Sequence, residues 1–253
     1  MATFCKSIIN IWLYGVVKSI VVAQPLYNKP IQTNFCQNEK VADSMDETNE
    51  LKTRIKDLGI DLVGVTNLDP YKKITMGIRT DRAEFFQRYQ NAVILGCHLG
   101  DKSANEMNLF MEQAALEAMT WLEDKGHNVL IIHPEDEFDP VKRLGLISLK
   151  ALAKGAGLGW QGRSLLIISP EIGPIYRCIG LLTDMDLSPD ASMPNRCGDC
   201  TLCIDKCPQH ALKLVRFDDH PARREEVLDV HACRGDKGCN VCLAVCPWIK
   251  HLN

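Results

Sequence analysis

The sequence has few aromatics, 6% of 253 residues, and no excess of either charge: 29 basic and 32 acidic side chains leave a formal net charge of −3. A balance this close to neutral argues against a nucleic-acid binder built on charge. No internal repeat at periods of about 20 to 50 residues is present, which excludes solenoids and propellers. Low-complexity tracts are also missing. The longest apolar stretch, residues 8–23, is broken by Asn10 and Lys18, and a membrane-spanning helix needs about 18 to 20 uncharged residues. What remains, 46% apolar and 24% charged, is the composition of an ordinary globular chain, of a length that fits one or two domains.

The first 45 residues read differently from the rest. Lys6 before the apolar stretch and Val21-Val22-Ala23 at its end loosely imitate a secretory signal. No twin-arginine pair accompanies them, and export would carry metal-binding thiols to where disulfides form. The expectation is therefore a poorly ordered leader or extended N-terminus over 1–45, a working protein that opens near Met45, and a cytoplasmic location.

Helix and strand patterns then alternate. The sequence predicts helices over 49–58, 107–125 and 144–154, ended by Gly59, Gly126 and Gly155. Strands are predicted over 60–65, 92–95, 129–132, 165–168 and 175–182, the last two joined by a turn over 170–174. The result is a mixed α/β domain over 46–190.

Cysteine breaks the pattern of scarcity. Of twelve, Cys5, Cys36, Cys97 and Cys178 are scattered, while eight fall between 197 and 246. Cys97 and Cys178 sit in apolar strands and read as core thiols. Cys197, Cys200, Cys203 and Cys207, followed by Pro208, form CxxCxxCxxxCP, the bacterial ferredoxin run for a 4Fe–4S cluster. In two-cluster ferredoxins the fourth cysteine of such a run serves the other cluster. A partner run is present: Cys233, then Cys239, Cys242 and Cys246 followed by Pro247. Crossing the fourth ligands gives one cluster on Cys197, Cys200, Cys203 and Cys246 and a second on Cys207, Cys233, Cys239 and Cys242. Zinc and disulfides remain the alternatives, although zinc sites favour CxxC pairs with a longer spacer. His210, His220, His231 and His251 read as surface or hydrogen-bonding residues, because eight thiols already suffice.

Gly157, Gly159 and Gly162 form GxGxxG, the dinucleotide fingerprint. The context is inverted, since a helix precedes the segment and a strand follows it, and this argues against NAD. With Gly155, the glycines read either as backbone lying against a flat or bulky group or as a helix cap and tight turn.

Residues 153–187, AKGAGLGWQGRSLLIISPEIGPIYRCIGLLTDMDL, together with the two cysteine runs and the terminal CPW, resemble the epoxyqueuosine reductase family. A more distant likeness is to corrinoid-dependent reductive dehalogenases. The resemblance covers roughly residues 51–248. It implies a nitroreductase-like α/β domain with a mixed sheet that holds cobalamin, followed by a ferredoxin-like double-cluster module over 191–253, with electrons passing from the clusters to cobalt. It further implies that Gly157, Gly159, Trp160, Gly162, Arg163 and Ser164 lie near the corrin. The donor would be a protein such as ferredoxin or flavodoxin, and the substrate a small molecule or a tRNA nucleoside. The family's aspartate proton donor falls at Arg143, with Asp139 nearby but out of register, so the acid is unassigned; Tyr176 is a candidate, and Arg163 and Arg177 are candidates for corrinoid amide or phosphate contacts. The spacer after Cys233 also departs from the family's usual sequence. Competing readings are an electron carrier without corrinoid, a dehalogenase-like enzyme and a zinc-stabilised module.

Overall fold

The computed structural model describes residues 34–72, 86–98, 103–134, 136, 139, 145–175, 177–221 and 223–249. Helix α1 (Asn34–Asp57) contains neither proline nor glycine and runs unbroken through Met45, so the boundary expected there falls inside a helix. Its described side chains explain why it stays: Thr48, Leu51 and Ile55, about one turn apart, are buried. Gly59, with φ +93°, ends the turn that follows.

Strand β1 (Leu62–Asn67) leads into the short helix α2 (Asp69–Lys72) and then β2 (Asn91–Cys97). Helix α3 (Ala104–Asp124) opens with a capping box: Ser103 Oγ accepts from the Glu106 N–H, and Glu106 accepts from the Ser103 N–H. Strand β3 (Val129–Ile132) matches the predicted span. Helix α4 (Leu149–Gly155) starts later than expected, where Ser148 caps the Ala151 N–H. The small strands β4 (Trp160–Gln161), β5 (Ile167–Ser169) and β6 (Gly173–Pro174) follow, then β7 (Arg177–Thr183).

The main sheet has the order β1-β2-β7-β3. A mixed sheet was expected, but every strand pairing among the described residues is antiparallel. Unbroken apolar strands usually belong to parallel sheets, whose two faces are both covered. Here an antiparallel sheet is covered on both faces instead. Val93, Leu95 and Ile179 point to the side of α1 and α3, while Ala92, Ile94 and Leu182 point to the side of α4. On the α4 side, Gly64 lets the helix end come close: a Cβ there would collide with the Ala156 carbonyl and stand 2.6 Å from Leu158 Cδ1.

The cysteine-rich module adds α5 (Leu202–Asp205), α6 (Arg224–Val227), a 3-10 turn (Gly235–Lys237) and α7 (Val241–Ala244). Ala211, Leu212, Val227, Val230 and Leu243 are buried in this module. No helix among the described residues is long and apolar enough to cross a membrane.

Candidate iron–sulfur site

The two cysteine runs adopt one conformation. In the first, the N–H of Ile204 reaches the Thr201 carbonyl at 2.8 Å, that of Cys207 the Ile204 carbonyl at 3.2 Å, and that of His210 the Cys207 carbonyl at 3.0 Å. In the second, Leu243 reaches Asn240 at 2.9 Å, Cys246 reaches Leu243 at 3.2 Å, and Ile249 reaches Cys246 at 2.9 Å. Helices α5 and α7 pack against each other, which brings the runs together. Cys233 arrives from the connecting segment, anchored by its N–H to the Asp229 carbonyl at 3.0 Å. The Asp229 carboxylate accepts from the N–H groups of His231 and Ala232, both at 3.0 Å.

The electrostatics show which sulfurs are near which. Burial pushes the Cys203 thiol up to about 11, and charge on Cys197, Cys242, Cys200 or Cys246 pushes the same way. The Cys246 thiol is raised first by burial and then, among its sulfur neighbours, by Cys197 and Cys200. Cys242 is raised by burial, then by Cys233 and Cys239. Burial would raise Cys207 too, but the backbone N–H groups of Gln209, Ala211, Leu212 and His210 bring it below the ordinary thiol value. The last cysteine of the second run thus lies with the first run.

All eight thiols are half-buried and free of disulfides. For Cys203, Cys242 and Cys246, burial and neighbouring sulfurs oppose ionisation, so a cation is needed to hold them as thiolates, and a set of eight gathered thiols fits iron–sulfur cores. No group of three His, Cys, Asp or Glu side chains among the described residues is arranged to hold a single metal ion. In a cubane each thiolate takes a separate iron, so the sulfurs stand further apart than four thiolates on one ion.

The glycine-rich segment forms the floor beneath the first run. As the sequence order indicated, helix α4 precedes it and strand β5 follows, with β4 inside the segment itself. Gly157, with φ +69°, faces the Ala191 carbonyl, Gly159 faces the Ile168 carbonyl, and Gly162 faces the Ile168 side chain and Cys197 Sγ. Trp160 is fully buried, Arg163 is 7% exposed and Ser164 is half-buried. On the side where a Cβ would stand, these glycines therefore meet the chain itself. The two buried polar atoms left without a hydrogen-bond partner in this segment are Trp160 Nε1 and Arg163 Nε. Tyr176 and Arg143 lie outside the described residues. Asp139 is half-buried.

Several contributors had no sequence signal. Asn195 donates from Nδ2 to the Gln161 carbonyl at 2.9 Å and accepts the Cys197 N–H at 2.8 Å, pinning the first run to β4. Lys154 of α4 pairs with Asp219 of the cysteine module. Lys150, also on α4, is close enough to Cys178, Cys242 and Cys233 to sense their charge. Lys154 reads from sequence as a solvated residue, and its pairing appears only when the cysteine module is in place.

No family model matches the chain. Over an alignment of 131 positions, covering 47% of this chain and 34% of the relative, the chain is 33% identical to epoxyqueuosine reductase of Bacillus anthracis. The chain thus spans about a third of the length of the curated relatives it matches. An epoxyqueuosine reductase crystallised with an epoxyqueuosine-modified tRNA-Tyr stem loop shares the fold at TM-score 0.59 and 18% identity, over 82% of this chain and 68% of that one. A reductive dehalogenase whose structure suggests a mechanism for B12-dependent dehalogenation matches at TM-score 0.65 and 19% identity, over 84% of this chain and 33% of that one. The resemblance drawn from the motifs holds in both sequence and fold.

Proposed function

We propose that this chain is an iron–sulfur reductase of the epoxyqueuosine reductase kind. Its first 4Fe–4S cluster is held by Cys197, Cys200, Cys203 and Cys246, and its second by Cys207, Cys233, Cys239 and Cys242. The observation that supports the reading is that Cys246, the last cysteine of the second run, shares its electrostatic neighbourhood with Cys197 and Cys200 of the first. When bound, such clusters supply one-electron steps at potentials tuned by hydrogen bonds and exposure. The chain's part is to hold the sulfurs half-buried, to aim backbone N–H groups at Cys207, and to fix the first run against β4 through Asn195.

Electrons come from a donor of the ferredoxin or flavodoxin class and pass to an acceptor in the α/β domain. By likeness to its relatives that acceptor is cobalamin, and the substrate is a tRNA nucleoside or a small molecule. The glycines assigned to it turn the side where a Cβ would stand toward the chain's own atoms. The same observation favours a second reading, an electron carrier without a corrinoid. Metal analysis after anaerobic reconstitution with iron, sulfide and cobalamin separates the two. The reductase reading expects about one cobalt per chain beside the iron. Iron with no retained cobalt would establish the carrier instead.

A further inference from the structure

Arg163 lies in the turn between β4 and β5 and is 7% exposed. Two of its three nitrogens leave their own domain. Nη2 donates to the Gly198 carbonyl at 2.5 Å and Nη1 to the Val215 carbonyl at 3.5 Å. Gly198 follows Cys197 directly, and the cysteine sulfur is 3.5 Å from where a Gly162 Cβ would stand. With the Asn195 contact to the Gln161 carbonyl, three consecutive residues, the last of β4 and the first two of the turn, grip the first cysteine loop. The third nitrogen, Nε, is buried with no hydrogen-bond partner.

A guanidinium keeps its charge at any ordinary pH, and a buried charge without a counter-ion is costly. Among the described residues, no carboxylate pairs with Arg163. The group beside it that carries negative charge is the four-thiolate cluster, which gains one further unit on reduction. When a donor of the ferredoxin or flavodoxin class passes an electron to it, no bond forms or breaks and no proton moves. A fixed cation close by favours the reduced form.

We propose that Arg163 is the counter-charge and positioning residue of the first cluster: it fastens the loop carrying Cys197 and Cys200 to the β4–β5 turn and raises that cluster's reduction potential. This departs from the corrin-contact role that likeness gives Arg163, and it rests on the two-cluster reading.

Redox titration followed by electron paramagnetic resonance on the reconstituted full chain tests it, with Arg163→Gln and Arg163→Lys beside the unaltered protein. In Arg163→Gln one of two transitions moves to lower potential and the other stays. Arg163→Lys, which keeps the charge and loses the fork, stays close to the unaltered protein. If Arg163→Gln fails to load the first cluster but keeps the second while Arg163→Lys loads both, the positioning role stands. Transitions that do not move in Arg163→Gln, that move together, or clusters lost alike in both variants overturn the proposal. An unaltered protein with no cluster signal overturns the two-cluster reading beneath it.

Discussion

Trp160 and Trp248 meet edge to face, their ring centroids 4.8 Å apart and their planes at 78°. One ring belongs to β4 and the other follows Cys246 by two residues, so the pair joins the small sheet to the end of the second cysteine run. The Arg196 guanidinium lies 5.9 Å from the Trp160 ring centre. Trp160→Ala is expected to cost about 3–5 kcal/mol, the usual range for emptying a buried aromatic site. Trp160→Phe keeps the ring and removes an N–H that has no hydrogen-bond partner, so it costs distinctly less. Anaerobic thermal unfolding of both variants checks this; equal losses would show that the ring packing is not what matters.

Gly64→Ala places a methyl against the Ala156 carbonyl and Leu158. Overpacking of this kind costs about 1–3 kcal/mol. Backbone cannot yield as a flexible side chain can, so the upper end is expected. Denaturant unfolding measures it, and a change below about 0.5 kcal/mol would mean that α4 does not lie as close to the sheet.

Burial pushes the Cys178 thiol up to about 12, against the pull of Lys150. In the unfolded chain a thiol ionises near about 8.5. The folded pKa is therefore raised, and the stability it confers is intact below the unfolded value and is lost as pH rises through the folded one. Between about pH 8 and pH 10, stability should fall more steeply in the native sequence than in Cys178→Ala. Parallel slopes would contradict the assignment. At about pH 8, alkylation of the folded protein should also leave Cys178 largely unmodified.

At the acid end, burial would raise the Asp184 carboxyl, but bonds from the Asn128 side chain and N–H and from His127 bring it below the ordinary value. The contribution is present above the unfolded pKa of about 3.9 and is lost as pH falls through the lower folded one. Acid unfolding of Asp184→Asn should accordingly be less steep over that range. An unchanged acid limb would show that these bonds do not depend on charge.

Serine at Cys246 and at Cys207 separates the crossed arrangement from a local one. With crossing, Cys246→Ser disturbs the cluster on Cys197, Cys200 and Cys203 and leaves the partner signal intact. Cys207→Ser does the reverse. Resonance spectra that assign each loss to the serine's own run would sink the crossing.

The legible parts of this molecule were those with local causes. The span of β3 and the stop of α3 at Gly126 follow from apolar runs and a glycine at φ +87°. Apolar spacing misplaces the starts of α3 and α4, at 107 and 144, because it passes over the Ser103 and Ser148 caps, which open the helices at Ala104 and Leu149. The cysteine runs announced themselves because their spacing is that of a ferredoxin run. Strand direction was hidden: an apolar run is buried on both faces whether its neighbour runs parallel or antiparallel. The glycine segment was ambiguous for a different reason. What Gly159 and Gly162 make room for, the Ile168 carbonyl and side chain and Cys197 Sγ, is brought there only by the folded chain. Asn195 and Arg163 act across the module boundary, which no local pattern records.

Iron and acid-labile sulfide per chain, measured on anaerobically reconstituted protein, test the central claim most directly. Two cubanes on eight thiolates predict about eight of each. Sulfide-free protein carrying about two zinc per chain would contradict it.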